Sequence, residues 1–257
     1  MKRRLQERPW HNSARKPVTK TALVVGGSGA IGSAAVSTLV QDGFKVWATY
    51  FQDKTQADQA AANISFVPMD CTQETSVKTG MEKILSAAKA LDVIVFSVTP
   101  PLKYSAFLNA SWESYQLHFN TQVKGLFLIA KNLRAQIQSN HKTKMIIILT
   151  EFCVSKPAAG VSDYATSKYA LLGLSKVLAV ELSKYQTTVN MISPGMTETD
   201  LLSHLPPKAI ELAAMNNPLK RIALPQDVAN AVSFLASEKS DYLNGTNILV
   251  NGGGVML

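Results

Sequence analysis

The residues with the clearest capacity for chemistry are Tyr164 and Lys168, four residues apart in a stretch that is compatible with a helix as far as Lys184. Residues with this spacing lie one above the other on one face of a helix. An ammonium group beside a phenol favours the phenolate, so the spacing predicts a Tyr164 pKa below its ordinary value of about 10. Such a tyrosine can exchange a proton with a substrate oxygen near neutral pH. Tyr and Lys residues on the exposed surface of a helix often have the same four-residue spacing. The rest of the sequence is therefore needed to distinguish a catalytic pair from a surface pair.

A glycine-rich turn near the start of the chain indicates a dinucleotide site. The apolar run 21–25 is typical of a buried parallel strand, and it leads through the glycine-rich residues 26–32 into a helix-like segment, 33–41. In this order, glycines let the backbone approach a pyrophosphate, and the free N–H groups at the helix start favour the anion. The residues expected to hold the cofactor here are Gly26, Ser28, Gly29, Ile31 and Gly32.

The end of the second strand, 45–50, bears on the choice between NAD and NADP. An NAD site places a carboxylate near this strand end to accept from the ribose 2′-hydroxyl. Here the strand ends at Tyr50, a further expected cofactor contact, with no acid at its tip and with Lys54 nearby. A carboxylate would repel a 2′-phosphate, so the sequence favours NADP. Asp53 weakens the inference, and NAD stays possible.

Strand and helix patterns alternate along most of the chain. Further strands are predicted at 64–67, 92–96, 145–150, 188–192 and 246–250, and helices at 73–89, 112–138, 163–184 and 226–236. Two short helical pieces are predicted between residues 197 and 217. This alternation predicts an α/β fold in one domain, 19–257: a Rossmann-like, doubly wound, parallel seven-stranded sheet with helices on both faces.

The formal net charge of +8 lies mostly in one segment. Residues 1–20 hold seven Lys and Arg residues against a single Glu. We therefore expect residues 1–18 to form a disordered basic extension, and we do not predict a nucleic-acid partner. Basic arms can bind polyanions, so binding of RNA or DNA by this extension is kept as an alternative, as is organelle targeting.

The remaining composition excludes other classes. No apolar run reaches the roughly 18 residues of a membrane helix, so no membrane association is expected. Cys71 and Cys153 lack metal or redox spacing, and the four histidines lack ligand spacing, so no metal site is predicted. Free thiols are typical of a reducing compartment, which predicts a cytoplasmic location.

Five features in the expected order resemble the short-chain dehydrogenase/reductase family over residues 20–257. They are the glycine turn, Asp70, and the segments 164–168, 193–200 and 244–253. The last two segments, with 227–237 between them, are most similar to 3-oxoacyl-[acyl-carrier-protein] reductases. The resemblance implies an NADP(H)-dependent oxidoreductase of fatty acid or polyketide metabolism that interconverts a ketone and a secondary alcohol. Its expected substrate is a 3-oxoacyl thioester, free or on acyl carrier protein, and its expected assembly is a homotetramer or homodimer.

The resemblance also implies a role for each matching residue. Tyr164 would be the general acid in reduction, and Lys168 would bind the nicotinamide ribose and lower the tyrosine pKa. Asp70 would bind the adenine, with the backbone of Cys71 beside it, and the segment after residue 197 would be a substrate lid. The residues expected to lie along the nicotinamide are Pro194, Gly195 and Thr197.

Two positions depart from the family pattern. Glu151 stands thirteen residues before Tyr164, where a carbonyl-binding serine is usual, and Gln122 stands where an asparagine usually holds a water of the proton relay. An ionised Glu151 would repel a developing oxyanion, whereas a protonated one could donate a hydrogen bond. Alternatively, Glu151 turns away and Thr150 or Ser155 substitutes. A third possibility is a catalytically weakened protein that acts as a cofactor-binding or scaffold subunit.

Overall fold

The computed structural model describes residues 19–52 and 62–256. The predictions for residues 1–18, Asp53 and Lys54 fall outside the described residues. The predicted sheet is confirmed: seven parallel strands lie in the order β3-β2-β1-β4-β5-β6-β7. The strands are β1 Thr21–Val25, β2 Lys45–Tyr50, β3 Ile64–Pro68, β4 Val93–Phe96, β5 Thr143–Ile148, β6 Thr187–Pro194 and β7 Asn247–Val250.

Helices cover both faces of this sheet. They are α1 Ala30–Gln41, α2 Glu74–Ala88, α3 Trp112–Phe119, α4 Gly125–Asn132, α5 Arg134–Gln138, α6 Ser162–Leu182, α7 Pro207–Asn216 and α8 Pro225–Ala236. Neighbouring strand residues point to opposite faces. Leu23 accordingly packs in the core that contains α2, α4 and α6, whereas Val24 packs with α1 and α8. Within the described ranges, no helix has the length and apolarity to cross a membrane.

The prediction of one long helix over residues 112–138 is wrong in detail. A π-helical turn at Asn120–Lys124 separates α3 from α4, and Leu133, with ψ at 2°, separates α4 from α5. The extra residue in the π turn shifts the register and leaves Gln122 fully buried. After Leu133, the Gln136 side chain bonds the backbone N–H and carbonyl of Leu91, which holds α5 against the sheet.

The strand predicted over 145–150 lies two residues too late in the sequence. In the structure β5 ends at Ile148, and Thr150 and Glu151 belong to the turn that follows. The carboxyl ends of parallel strands meet at one edge of a sheet, and ligands bind there in open α/β folds. The turns after β1, β4, β5 and β6 therefore lie together and form the walls of a cleft.

The glycine turn after β1 depends on two of its glycines. Gly26 has a φ of +84°, a conformation that side chains disfavour. A Cβ at Gly32 would lie 2.0 Å from the carbonyl oxygen of Gly26, which is closer than contact allows. Gly29 differs, because its φ is −72° and the nearest atom to an added Cβ would be 3.6 Å away. The turn therefore requires Gly26 and Gly32, but it does not require Gly29.

We expect Gly32→Ala to lower the free energy of unfolding by about 1–3 kcal/mol, because the added methyl group must push the turn away from α1. Gly29→Ala is the matched control and should change the stability by less than about 0.5 kcal/mol. Urea unfolding of both variants measures the difference. Equal losses would show that the contact with Gly26 is not what requires glycine at position 32.

Candidate active site

Tyr164 and Lys168 lie in the first two turns of α6, on the face toward the sheet edge. Their exposed fractions are 9% and 3%, so neither side chain belongs to the solvent-exposed face of the helix. Both line a cleft of about 530 Å³ at the carboxyl ends of the strands. The predicted site residues that line the same cleft are Gly29, Ile31, Gly32, Glu151, Pro194, Gly195 and Thr197.

Other predicted cofactor residues lie in the turns after β1 and β3 or at the end of β2. Gly26 and Ser28 belong to the glycine turn, and Tyr50 is the last residue of β2. Asp70 follows β3, where its Oδ1 accepts hydrogen bonds from the backbone N–H and hydroxyl of Thr72, both at 2.8 Å. Cys71 is buried, and burial raises the pKa of its thiol to about 12. Its side chain therefore serves packing, and only its backbone is available to a ligand.

Lys168 is held by the end of strand β5. Its Nζ donates a hydrogen bond of 2.9 Å to the carbonyl oxygen of Ile148 and lies 5.8 Å from the centre of the Tyr164 ring. Burial penalises the ammonium and lowers the Lys168 pKa to about 8. The side chain thus carries a proton that is more easily released than that of an exposed lysine.

The pKa of the Tyr164 phenol is shifted upward, opposite to the predicted lowering. Burial raises its pKa to about 12, and Lys168 does not offset this effect. The prediction of a lowered pKa is therefore wrong, because removing the phenolate from water outweighs its favourable interactions. A hydrogen bond with the Thr150 side chain acts the other way, and the charge of Glu151 adds to the increase. The phenol is consequently a proton donor at neutral pH.

Thr150, rather than Glu151 or Ser155, accompanies the tyrosine hydroxyl. Thr150 is buried and keeps an extended backbone, with φ at −158° and ψ at 151°. Its hydroxyl accepts the backbone N–H of Phe152 at 3.4 Å, and its hydrogen bonding with the phenol lowers the Tyr164 pKa against the effect of burial. Ser155 lies one turn further on, where its hydroxyl donates to the carbonyl of Glu151 at 2.9 Å. Thr150 is one of the two substitutes expected from the sequence, and of the two it is the one whose hydrogen bonding acts on the Tyr164 pKa.

The Glu151 carboxylate turns away toward the loop that follows β7. Its Oε2 accepts a hydrogen bond of 3.3 Å from Nδ2 of Asn251 and lies 3.3 Å from the position a Cβ would take at Gly195. Burial raises its pKa. The side chain lines the main cleft and also a second cavity of about 510 Å³ on the other side of Gly195. Glu151 therefore borders the site without occupying the position beside the phenol.

Gln122 belongs to a buried polar network behind the tyrosine. Its Nε2 lies 3.2 Å from both His118 Nδ1 and Ser167 Oγ. The Ser167 hydroxyl already donates to the carbonyl of Tyr164, so it accepts from Gln122, and this fixes the orientation of the amide. The buried Oε1 is left without a hydrogen-bond partner among the described residues.

His118 connects this network to the start of α6. Its Nε2 lies 3.8 Å from Oδ2 of Asp163, whose Oδ1 accepts the backbone N–H of Tyr164 at 2.7 Å. Ser114 also hydrogen-bonds Asp163. Burial lowers the pKa of His118, although Asp163 opposes the shift. His118 and Asp163 are parts of the site that the sequence patterns did not predict. The four-residue spacing of His118 and Gln122 is the signal that could have linked them.

Comparisons with known proteins agree with this geometry. The family profile described as enoyl-(acyl carrier protein) reductase matches residues 26–254. The 3-oxoacyl-[acyl-carrier-protein] reductase MabA of Mycobacterium bovis is 31% identical over 237 residues, which cover 92% of this chain and 93% of that protein. The acetoacetyl-CoA reductase of Cupriavidus necator is 27% identical and covers 91% and 97%. A short-chain type dehydrogenase/reductase structure from Mycobacterium marinum is 27% identical, with a TM-score of 0.85 and coverage of 93% and 96%.

We expect buried His118 to make the protein less stable in mild acid. The unfolded chain takes up a proton near pH 6.5, whereas the folded pKa is lower. The full stability is therefore present above pH 6.5 and is lost as the pH falls through the folded pKa. His118→Gln should reduce the slope of unfolding free energy against pH below about 6.5, as measured by urea unfolding.

His204 is exposed and provides the control. His204→Gln should keep the slope of the unsubstituted protein. An unchanged slope in His118→Gln would show that another group titrates in this range.

Proposed function

Because the chain belongs to the short-chain dehydrogenase/reductase family, we propose that it is an NADP(H)-dependent oxidoreductase that interconverts a ketone and a secondary alcohol. We further propose a 3-oxoacyl thioester as the substrate, free or on acyl carrier protein, since MabA is by name a 3-oxoacyl-[acyl-carrier-protein] reductase. The observation that carries the proposal is the buried group of Tyr164, Thr150 and Lys168 at the inner end of the cleft.

The described residues fit a dinucleotide at this edge. The turn between β1 and α1 brings backbone close to a ligand, and the first turn of α1 holds no acidic residue that would repel a pyrophosphate. The cleft volume of about 530 Å³ is within the usual range for cofactor sites. Tyr50 at the end of β2 is followed by Phe51 and Gln52, so the described part of this strand end offers no carboxylate against a 2′-phosphate. This supports NADP over NAD.

Several side chains are proposed to hold the cofactor. Asp70 would bind the adenine through the carboxylate oxygen that Thr72 does not use, with the Cys71 backbone beside it. Pro194, Gly195 and Thr197 would lie along the nicotinamide, where Thr197 is buried and its hydroxyl donates to the Gly195 carbonyl at 2.9 Å. When bound, the nicotinamide supplies the hydride in reduction and accepts it in oxidation.

Side chains of the protein are proposed to donate the proton and to replace it. A phenol with a pKa of about 12 is protonated at neutral pH, so Tyr164 can give its proton to the carbonyl oxygen as charge develops there. The Thr150 hydroxyl is beside the phenol and can donate a hydrogen bond to the same oxygen, as the usual serine would. Lys168, whose pKa is near 8, then returns a proton toward Tyr164. Gln122 is proposed to contribute an acceptor to this path through Oε1.

The scaffold alternative has one observation in its favour. Glu151 stands close enough to raise the Tyr164 pKa, which weakens the phenol as an acid. The effect is smaller than that of burial, and the carboxylate itself faces Asn251. Nucleotide binding without turnover of any carbonyl compound would support the scaffold alternative over catalysis.

We also propose a homotetramer or homodimer. Apolar side chains are exposed on the long helices and beside the last strand, as expected of surfaces that associate. They include Leu117 and Phe127 near the π turn, Val177 and Val180 on α6, and Phe234 on α8. Val180 is 76% exposed and Val177 is 51% exposed, so the two valines form an apolar patch on the outer face of α6. The acyl carrier protein, if it delivers the substrate, would bind at the open side of the cleft.

Tyr164→Phe should reduce NADPH oxidation with acetoacetyl-CoA by about 10²–10⁴-fold, because phenylalanine has no proton to give. Tyr169→Phe is the matched control on the same helix. The Tyr169 side chain is 44% exposed, and its hydroxyl lies 3.5 Å from the Ser155 carbonyl, outside the cleft. Steady-state rates measure both. Equal activity of the two variants would remove Tyr164 from the mechanism.

Thr150→Val should lower kcat by about 10²-fold, because it removes the hydroxyl beside the phenol and keeps the side-chain volume. Thr150→Ser should retain most of the activity, since it restores the donor. The comparison is made by steady-state kinetics with NADPH and acetoacetyl-CoA. If Thr150→Val were as active as the unsubstituted protein, some other group would hold the carbonyl oxygen.

A further inference from the structure

Glu151 is a carboxylate without a cationic partner at the junction of two cavities. The main cleft and the second cavity share Glu151, Gly195 and Met196 as lining residues, so the Glu151 side chain borders the cleft that contains Tyr164 as well as the second cavity. Among the described residues, no lysine, arginine or histidine forms an ion pair with this carboxylate. Within the described ranges, the one hydrogen bond of this carboxylate comes from Asn251 and is long at 3.3 Å.

Asn251 is positioned by its own loop and not by Glu151. Its Oδ1 accepts the backbone N–H of Gly253 at 3.1 Å, and its Nδ2 donates to the carbonyl of Val255 at 3.0 Å. These two bonds orient the amide, and the contact with Glu151 is an addition to them. The Glu151 carboxylate therefore keeps most of its capacity to accept hydrogen bonds. Support of the loop does not explain why a glutamate stands at this position.

The charges of the second cavity do not cancel. Arg221 and Asp227 both line it, but they form a two-bond ion pair with each other, with Arg221 Nη2 3.0 Å from Asp227 Oδ1. The remaining polar lining consists of side-chain amides, Asn216, Asn217, Asn230 and Asn251. Glu151 is thus the uncompensated charge among the described residues that line this cavity. Burial without an opposing cation raises its pKa, and a bound cation would supply that opposing charge.

We propose that Glu151 selects carbonyl substrates that carry an ammonium group a few bonds from the ketone, and that this group lies at the junction of the two cavities. The proposal rests on the proposed oxidoreductase function but not on the proposed thioester substrate, because it concerns the group that lies beside the ketone. A carboxylate in the same position of the substrate would meet Glu151 as a like charge and would be excluded. Thr150 then donates a hydrogen bond to the carbonyl oxygen, and Glu151 binds the ammonium group of the same substrate.

The test compares three ketones of one skeleton. They are 4-amino-2-butanone, which is cationic at neutral pH, 2-pentanone, in which a methyl group replaces the ammonium, and the carboxylate 4-oxopentanoate. We expect kcat/KM of the unsubstituted protein to be about ten-fold higher for the aminoketone than for 2-pentanone and lowest for the carboxylate, the size expected of one partly buried ion pair. Glu151→Gln should remove the preference, so that kcat/KM for the aminoketone and for 2-pentanone become equal within about two-fold.

Glu181→Gln is the matched control, because Glu181 is exposed on α6 and carries the same charge. It should keep the preference for the aminoketone. The proposal is overturned if the unsubstituted protein does not distinguish the aminoketone from 2-pentanone, or if Glu151→Gln distinguishes them equally well.

A binding measurement separates this proposal from the proposed function. If NADPH oxidation is absent with every ketone and with acetoacetyl-CoA, the oxidoreductase proposal fails. Ligand-observed NMR with 4-amino-2-butanone and 2-pentanone then reads the charge preference directly, in the unsubstituted protein and in Glu151→Gln. Preferential binding of the aminoketone that Glu151→Gln loses supports the selective role of Glu151, and its absence overturns it.

Discussion

The hydrogen bond from Lys168 to the carbonyl of Ile148 is the contact on which the site depends. It ties the first turns of α6 to the last residue of β5 and holds an ammonium group inside the protein. A buried charge needs such a partner, because its desolvation would otherwise favour the neutral amine. β5 ends at this residue, and the turn that carries Thr150 and Glu151 follows directly, so the contact fixes Lys168 beside these two side chains.

Much of the fold could be predicted from the sequence, because strand and helix patterns alternate and parallel strands require crossover helices. The relation of Tyr164 to Lys168 was also predictable, since it needs only the helix period. The direction of the Tyr164 pKa was not, because spacing reports a nearby ammonium but not the loss of water around the phenol. Burial of both side chains is a tertiary property, and it decides the sign.

The position of Glu151 shows a second limit of sequence reasoning. Counting back from Tyr164 leads to Glu151, but a count does not say which way a side chain points after a strand has ended. One residue of difference moves a side chain to the other face of an extended backbone. Thr150 therefore meets the phenol and Glu151 meets Asn251. The network of His118, Gln122 and Asp163 was only partly predictable, because spacing links His118 to Gln122 but does not show how α3 packs against the start of α6, where Asp163 lies.

The loop at residues 251–255 gives the second cavity part of its wall, and Asn251 within it contacts Glu151. The Asn251 amide holds this loop through bonds to Gly253 and Val255, so the shape of the wall is set within five consecutive residues. Loops vary more among related proteins than the elements they connect. Changes within these residues can therefore reshape the second cavity between relatives while the sheet and the pair of Tyr164 and Lys168 stay the same.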